Sequence, residues 1–135
     1  MRTILCTMLL LLSYLAQAQL TISTNLREDG IYDDANDEWI ITDSTEGLTV
    51  FTFNSKLTFF RHITDVIASV YKIDDWTYDE DESLYDMEVT SDAGNKYDFR
   101  IDGLSSVVIF FYYDHDDNFR MVRHSIKETW FDEEE

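Results

Sequence analysis

Ser106-Val107-Val108-Ile109-Phe110-Phe111-Tyr112-Tyr113 carries seven consecutive apolar or aromatic residues and no charge, in a chain of which 28% is charged. Asp102-Gly103 precede it, and a polar run from Asp114 to Asn118 follows. A segment this short, with turn residues at both ends, reads as a strand covered on both faces, because a buried helix normally needs about ten residues or more. The rest of the chain must therefore supply a sheet that closes or folds over it.

The segment just upstream has the sharpest register. Tyr85, Met87 and Val89 alternate with polar neighbours, as do Tyr97, Phe99 and Ile101, and Ser91 to Asn95 joins the two runs. Pairing Val89 with Tyr97 sets Met87 against Phe99 and Tyr85 against Ile101 on the inner face. The outer face then pairs Asp86 with Arg100, Thr90 with Lys96 and, as a like-charge opposition, Glu88 with Asp98; Lys96 and Arg100 lie diagonally across from Glu88 and should soften the repulsion. A slip by one residue would turn every apolar side chain outward, so burial fixes the alignment. The turn at Asp102-Gly103 places Val108, Phe110 and Tyr112 on the same face as Phe99. After Asp114 to Asn118 the chain returns through Phe119 to Ile126, with His124 across from Val108, and Trp130-Phe131 are expected to cap an open end of the sheet ahead of an acidic tail, Asp132 to Glu135.

Further upstream, Leu20, Ile22, Thr24 and Leu26 alternate as a first strand, and the acidic run Arg27 to Glu38 reads as a loop. Trp39-Ile40-Ile41 opens a second strand that Asp43 to Gly47 closes. Leu48 to Phe53 and Leu57 to Ile63 form a hairpin about Asn54-Ser55-Lys56, with Phe53 opposite Leu57, Phe51 opposite Phe59 and His62 opposite Leu48. The β-branched content of Val66 to Ile73 favours a strand there, although three- and four-residue apolar spacing admits one helix near 63–72. Gly30, Gly47, Gly94 and Gly103 all fall at expected turns, and no proline interrupts a ladder. The fold expected is all-β: an antiparallel up-and-down meander of about eight strands, a closed or partly closed barrel or a β-sandwich, with α+β as the alternative. In layout this resembles the small lipocalin-like barrels, with no family motif to carry residues across.

Residues 1–18 have the form of a signal peptide. Arg2 gives a positive start, Ile4 to Ala16 an apolar run too short to span a bilayer, and Ala16-Gln17-Ala18 a small-x-small cleavage pattern. Residues 19–135 are then one acidic β domain, with no stable membrane insertion after cleavage. The lone cysteine, Cys6, leaves with the leader, and the charge of −18 becomes −19 with the loss of Arg2. No Asn-x-Ser/Thr pattern occurs, which with the missing disulfides points to a bacterial exported protein, periplasmic or secreted. An acidic surface without a basic stripe excludes nucleic acid and leaves cations and basic proteins as partners, and such a charge also favours a monomer.

Chemistry-bearing patterns are few. Asp114, Asp116 and Asn118 open like a calcium loop, but Phe119 stands where that loop needs glycine and Ser125 where it needs glutamate, so a turn is the better reading. Asp79-Glu80-Asp81-Glu82 reads as a solvated loop. His62, His115 and His124 lack metal-ligand spacing, no nucleophile motif is present, and no cofactor is expected. Arg120 and Arg123 form the densest basic patch, suited to balancing acidic neighbours. The expected function is a non-catalytic exported interaction module for a basic protein, of an inhibitor or immunity type. Seventeen Phe and Tyr plus three Trp admit an alternative, a barrel carrying an apolar or aromatic ligand, and abundant carboxylates admit a hydrolase that uses a pair of them.

Overall fold

A computed structural model describes residues 18–133 of the chain; the proposed leader lies outside them, apart from Ala18. These residues form a closed antiparallel barrel of eight strands, each hydrogen-bonded to its sequence neighbours, with β1 joined back to β8. The strands are β1 (Ala18–Asp33), β2 (Glu38–Phe53), β3 (Phe59–Ile63), β4 (Ala68–Asp79), β5 (Leu84–Ser91), β6 (Lys96–Asp102), β7 (Val107–Tyr113) and β8 (Phe119–Glu133). The described residues contain no helix, so the 63–72 alternative is replaced by β3, a turn at Thr64–Ile67 closed by Thr64 N–H to the Ile67 carbonyl at 2.8 Å, and β4. Closure also replaces the sandwich, and it removes the free strand edges that an open meander would expose.

Alternation fills the interior as the physics of a small barrel requires. Phe51, Phe53, Phe60, Phe99 and Phe110 meet along the axis, none more than 4% exposed, with Phe60 ring centroids 4.7 Å from Phe99 and 4.8 Å from Phe53. Ile22, Ile73, Met87, Val89, Ile101 and Val108 complete the core. Both faces of the opening segment are used. Val108 and Phe110 point into this core, while Phe111 points outward.

The β5–β6 register is the expected one at every pair, from Tyr85 against Ile101 to Thr90 against Lys96, and Val108 faces both Ile101 and His124. The β2–β3 hairpin differs. Phe53 faces Phe60 and Phe51 faces His62, an odd shift that buries Phe60 and leaves Phe59 39% exposed. Asn54 is the cause. Its Oδ1 accepts the N–H groups of Thr58 at 2.9 Å and Phe59 at 3.2 Å, and its Nδ2 donates to Thr58 Oγ1 at 2.7 Å. The turn therefore runs through Thr58, with Leu57 in the left-handed region at φ 53°, and β3 starts two residues later than Leu57.

The acidic runs read as a loop and a turn are mostly strand, and only 34–37 of the expected loop form a turn, between β1 and β2. Glu28 to Asp33 pair with β2, and most of them with β8 as well, while Asp43 to Gly47 lie inside β2. Irregularities between Thr24 and Leu26 and between Asp29 and Gly30 absorb the extra residues. Gly30 and Gly47 thus sit within strands rather than turns. At Gly30 a Cβ would come 3.0 Å from Met121 Cε and 3.3 Å from the Ile40 carbonyl oxygen, so its bareness lets Met121 pack. Trp130 and Phe131 belong to β8, where they pair with Thr21 and Leu20 rather than capping an end of the barrel.

Candidate functional site

The loops singled out by sequence are tied down by their own side-chain hydrogen bonds. Asp114 Oδ1 accepts the N–H groups of Asp116 and Asn118, both at 2.9 Å, and its Oδ2 takes the Arg120 Nε–H. The Arg120 hydrogen bond, with the Asn118 and Asp116 backbone donors behind it, holds this carboxyl at about 2. Its oxygens are committed to the turn, and among the described residues no group of three His, Cys, Asp or Glu is placed to hold a metal ion. Asp79 Oδ1 likewise accepts Asp81 N–H at 3.0 Å, tying down the Asp79 to Glu82 turn. Arg123 reaches Glu28 Oε1 from the neighbouring strand at 3.0 Å, so both arginines balance acids as expected.

A depression of about 590 Å³ forms an open groove on the outer wall that involves β4 to β8 and Trp39 of β2. Cross-strand pairing builds its floor: Asp75 faces Glu88, Glu88 faces Asp98, and Asp98 faces Phe111. Arg100 Nε donates to Asp86 Oδ1 at 2.8 Å and its guanidinium lies 5.6 Å from the Phe111 ring. That leaves Glu88 and Asp98 without the diagonal partners the sequence proposes: among the described residues no ion pair reaches either, nor Asp75. Like charges directly opposed on one sheet face oppose pairing, and here they adjoin a third acid.

An aromatic ridge borders this acidic floor. The paired ends of β1 and β2 bring Trp39 within 6.0 Å of Phe111 and 5.2 Å of Phe119, with Tyr32 6.3 Å from Phe119. Tyr113 stacks on Phe119 at 5.0 Å. Met121, paired with Phe111 on one side and Gly30 on the other, faces outward by alternation yet is only 3% exposed, so the outer wall is covered beside the ridge. Carboxylates against aromatic faces suit a cation, whose charge meets the acids while its stem or ring lies on the aromatics.

A smaller chamber of about 250 Å³ opens at the barrel mouth nearest the Asp114 turn, between Arg27, His62, Tyr71, Tyr97, Phe110, Tyr112, Val122 and His124. His62 stacks on Phe51 at 4.9 Å, and the two imidazoles lie 5.8 Å apart. Burial pushes His62 down to about 4, with Arg27 adding to the shift. It pushes His124 down to about 3, helped by His62 and Arg27. The buried His62 Nε2 and both His124 ring nitrogens have no hydrogen-bond partner, an arrangement that usually costs about 1–3 kcal/mol per group. Burial also raises Tyr71 to about 12. Deeper along the axis the interior is filled by Phe51, Phe53, Phe60 and Phe99.

Fold and site together define a small closed antiparallel barrel with an acidic, aromatic-bordered groove outside and a histidine-tyrosine chamber at one mouth. Comparison with protein-family models, curated proteins and solved structures finds no match to this chain.

Proposed function

We propose that the protein is an exported, non-catalytic interaction module that grips a basic segment of another protein in the outer groove. The observation that carries this reading is the unneutralised opposition of Glu88 and Asp98, flanked by Asp75 and bordered by Trp39, Phe111 and Phe119. A lysine or arginine entering there relieves the repulsion and lays its stem or guanidinium plane on the ring of Trp39. The remaining charge of the chain, −18 overall, steers such a partner in and speeds encounter. The leader-like residues 1–18 support a role in the periplasm or outside the cell, where an inhibitor or immunity-type function suits a monomer of this size.

Titration with a short arginine-rich peptide tests the proposal. Binding is expected to weaken steeply with added salt, and Glu88→Gln with Asp98→Asn should reduce it roughly tenfold. Affinity unchanged by that double substitution rules the groove out as the binding surface.

A further inference from the structure

The mouth chamber differs from the rest of the surface in kind. In a chain with 28 acidic residues, its lining contains none: it presents Arg27, His62, His124, Tyr71, Tyr97 and Tyr112, all able to donate a hydrogen bond. His124 is 1% exposed and both its ring nitrogens are unpartnered. An imidazole needed only for packing could be replaced by phenylalanine among the phenylalanines that surround it, without leaving two buried polar atoms idle. The charged groups near the chamber are few. Arg27 is held on one side by Asp29 at 3.0 Å, Arg120 is held at the rim by Asp114, and Asp92 acts on Tyr71 from outside.

We infer that this chamber is a second binding site, taking a small single-ring carboxylate whose oxygens accept hydrogen bonds from the N–H groups of His62 and His124, with Arg27 beside them and the ring against Phe110 and Tyr97. The volume of about 250 Å³ lies below the roughly 300–1,000 Å³ of sites for drug-sized molecules, which limits the ligand to about one ring. Neutral imidazoles, as burial keeps these, each retain one N–H donor for a carboxylate. A divalent metal ion is disfavoured because Arg27 is close enough to both histidines to oppose positive charge there.

The site predicts a salt response opposite to that of the outer groove. The acidic surface repels an approaching anion, and salt screens that repulsion, so benzoate binding should hold or tighten as salt is added. The experiment is a titration of the purified protein with benzoate, with benzyl alcohol and zinc as parallel probes, read by imidazole ¹⁵N shifts and calorimetry. The expected result is saturable one-to-one benzoate binding that moves the His62 and His124 signals, with benzyl alcohol roughly tenfold weaker. Arg27→Gln, at an exposed position, and His124→Phe should each weaken benzoate roughly tenfold; if His124→Phe does not fold, Arg27→Gln carries the test. Unmoved imidazole signals at millimolar benzoate, equal binding of the alcohol, or zinc capturing both histidines while benzoate does not, would each overturn the inference.

Discussion

His62 and His124 tie the stability of the barrel to pH. An unfolded histidine titrates near 6.5, but these two do so at about 4 and about 3 when folded, because charging them inside the barrel means losing water without gaining a partner. Below pH 6.5 the unfolded chain therefore binds protons that the folded chain refuses. Stability from the two residues is complete above 6.5 and drains away as pH falls toward about 4 for His62 and about 3 for His124. At pH 5 the combined loss is on the order of a few kcal/mol, visible as a lower urea midpoint than at pH 7, and His124→Phe should flatten the dependence. An unchanged midpoint would mean that the imidazoles are solvated. Asp114 acts lower on the scale: its contribution is present above 3.8 and lost as pH falls through about 2. Since its oxygens serve the turn, Asp114→Ala should lower the melting temperature, and millimolar calcium should leave that of the parent protein where it was. A clear rise with calcium would show the loop to be a cation site after all.

At the scale of strands, legibility followed loop chemistry. β5 and β6 were readable because strict alternation meets across a short turn, so one pairing set all the others, including the Glu88–Asp98 opposition and the Asp86–Arg100 pair that later define the groove. The β2–β3 hairpin was not, because alternation says nothing about Asn54, whose side chain captures Thr58 and Phe59 and moves the strand start. That shift put His62 against Phe51 instead of Leu48 and so concealed its meeting with His124. The long β1–β2 ribbon was hidden too. Its acidic residues look like loop by composition, yet pairing on both sides of β1 keeps them extended, and only this extension carries Trp39 to Phe111. Two substitutions test these registers. Phe60→Ala should cost about 3–5 kcal/mol and Phe59→Ala less than about 1 kcal/mol; equal costs would restore the shorter turn. Gly30→Ala should cost about 1–3 kcal/mol by overpacking Met121, as measured by chemical denaturation.

Over the whole molecule, the arrangement separates three environments on one small frame: a phenylalanine-filled axis, a donor-rich mouth and an acidic outer wall. Which side of the wall a residue occupies depends on every neighbouring register, and all of them depend on the seam where β1 meets β8, from Ala18 against Glu133 to Ile31 against Arg120. Without that seam Arg27 would not stand beside His124, nor Gly30 beneath Met121, and neither the chamber nor the ridge would exist. The most direct test is therefore a map of interstrand nuclear Overhauser effects between the two. The barrel predicts backbone contacts linking Thr21 to Trp130, Arg27 to His124 and Gly30 to Met121, with slowly exchanging amides along the paired positions. A β1 strand with no contacts to β8 and rapidly exchanging amides on that edge would contradict it, and the groove and chamber would fall with it.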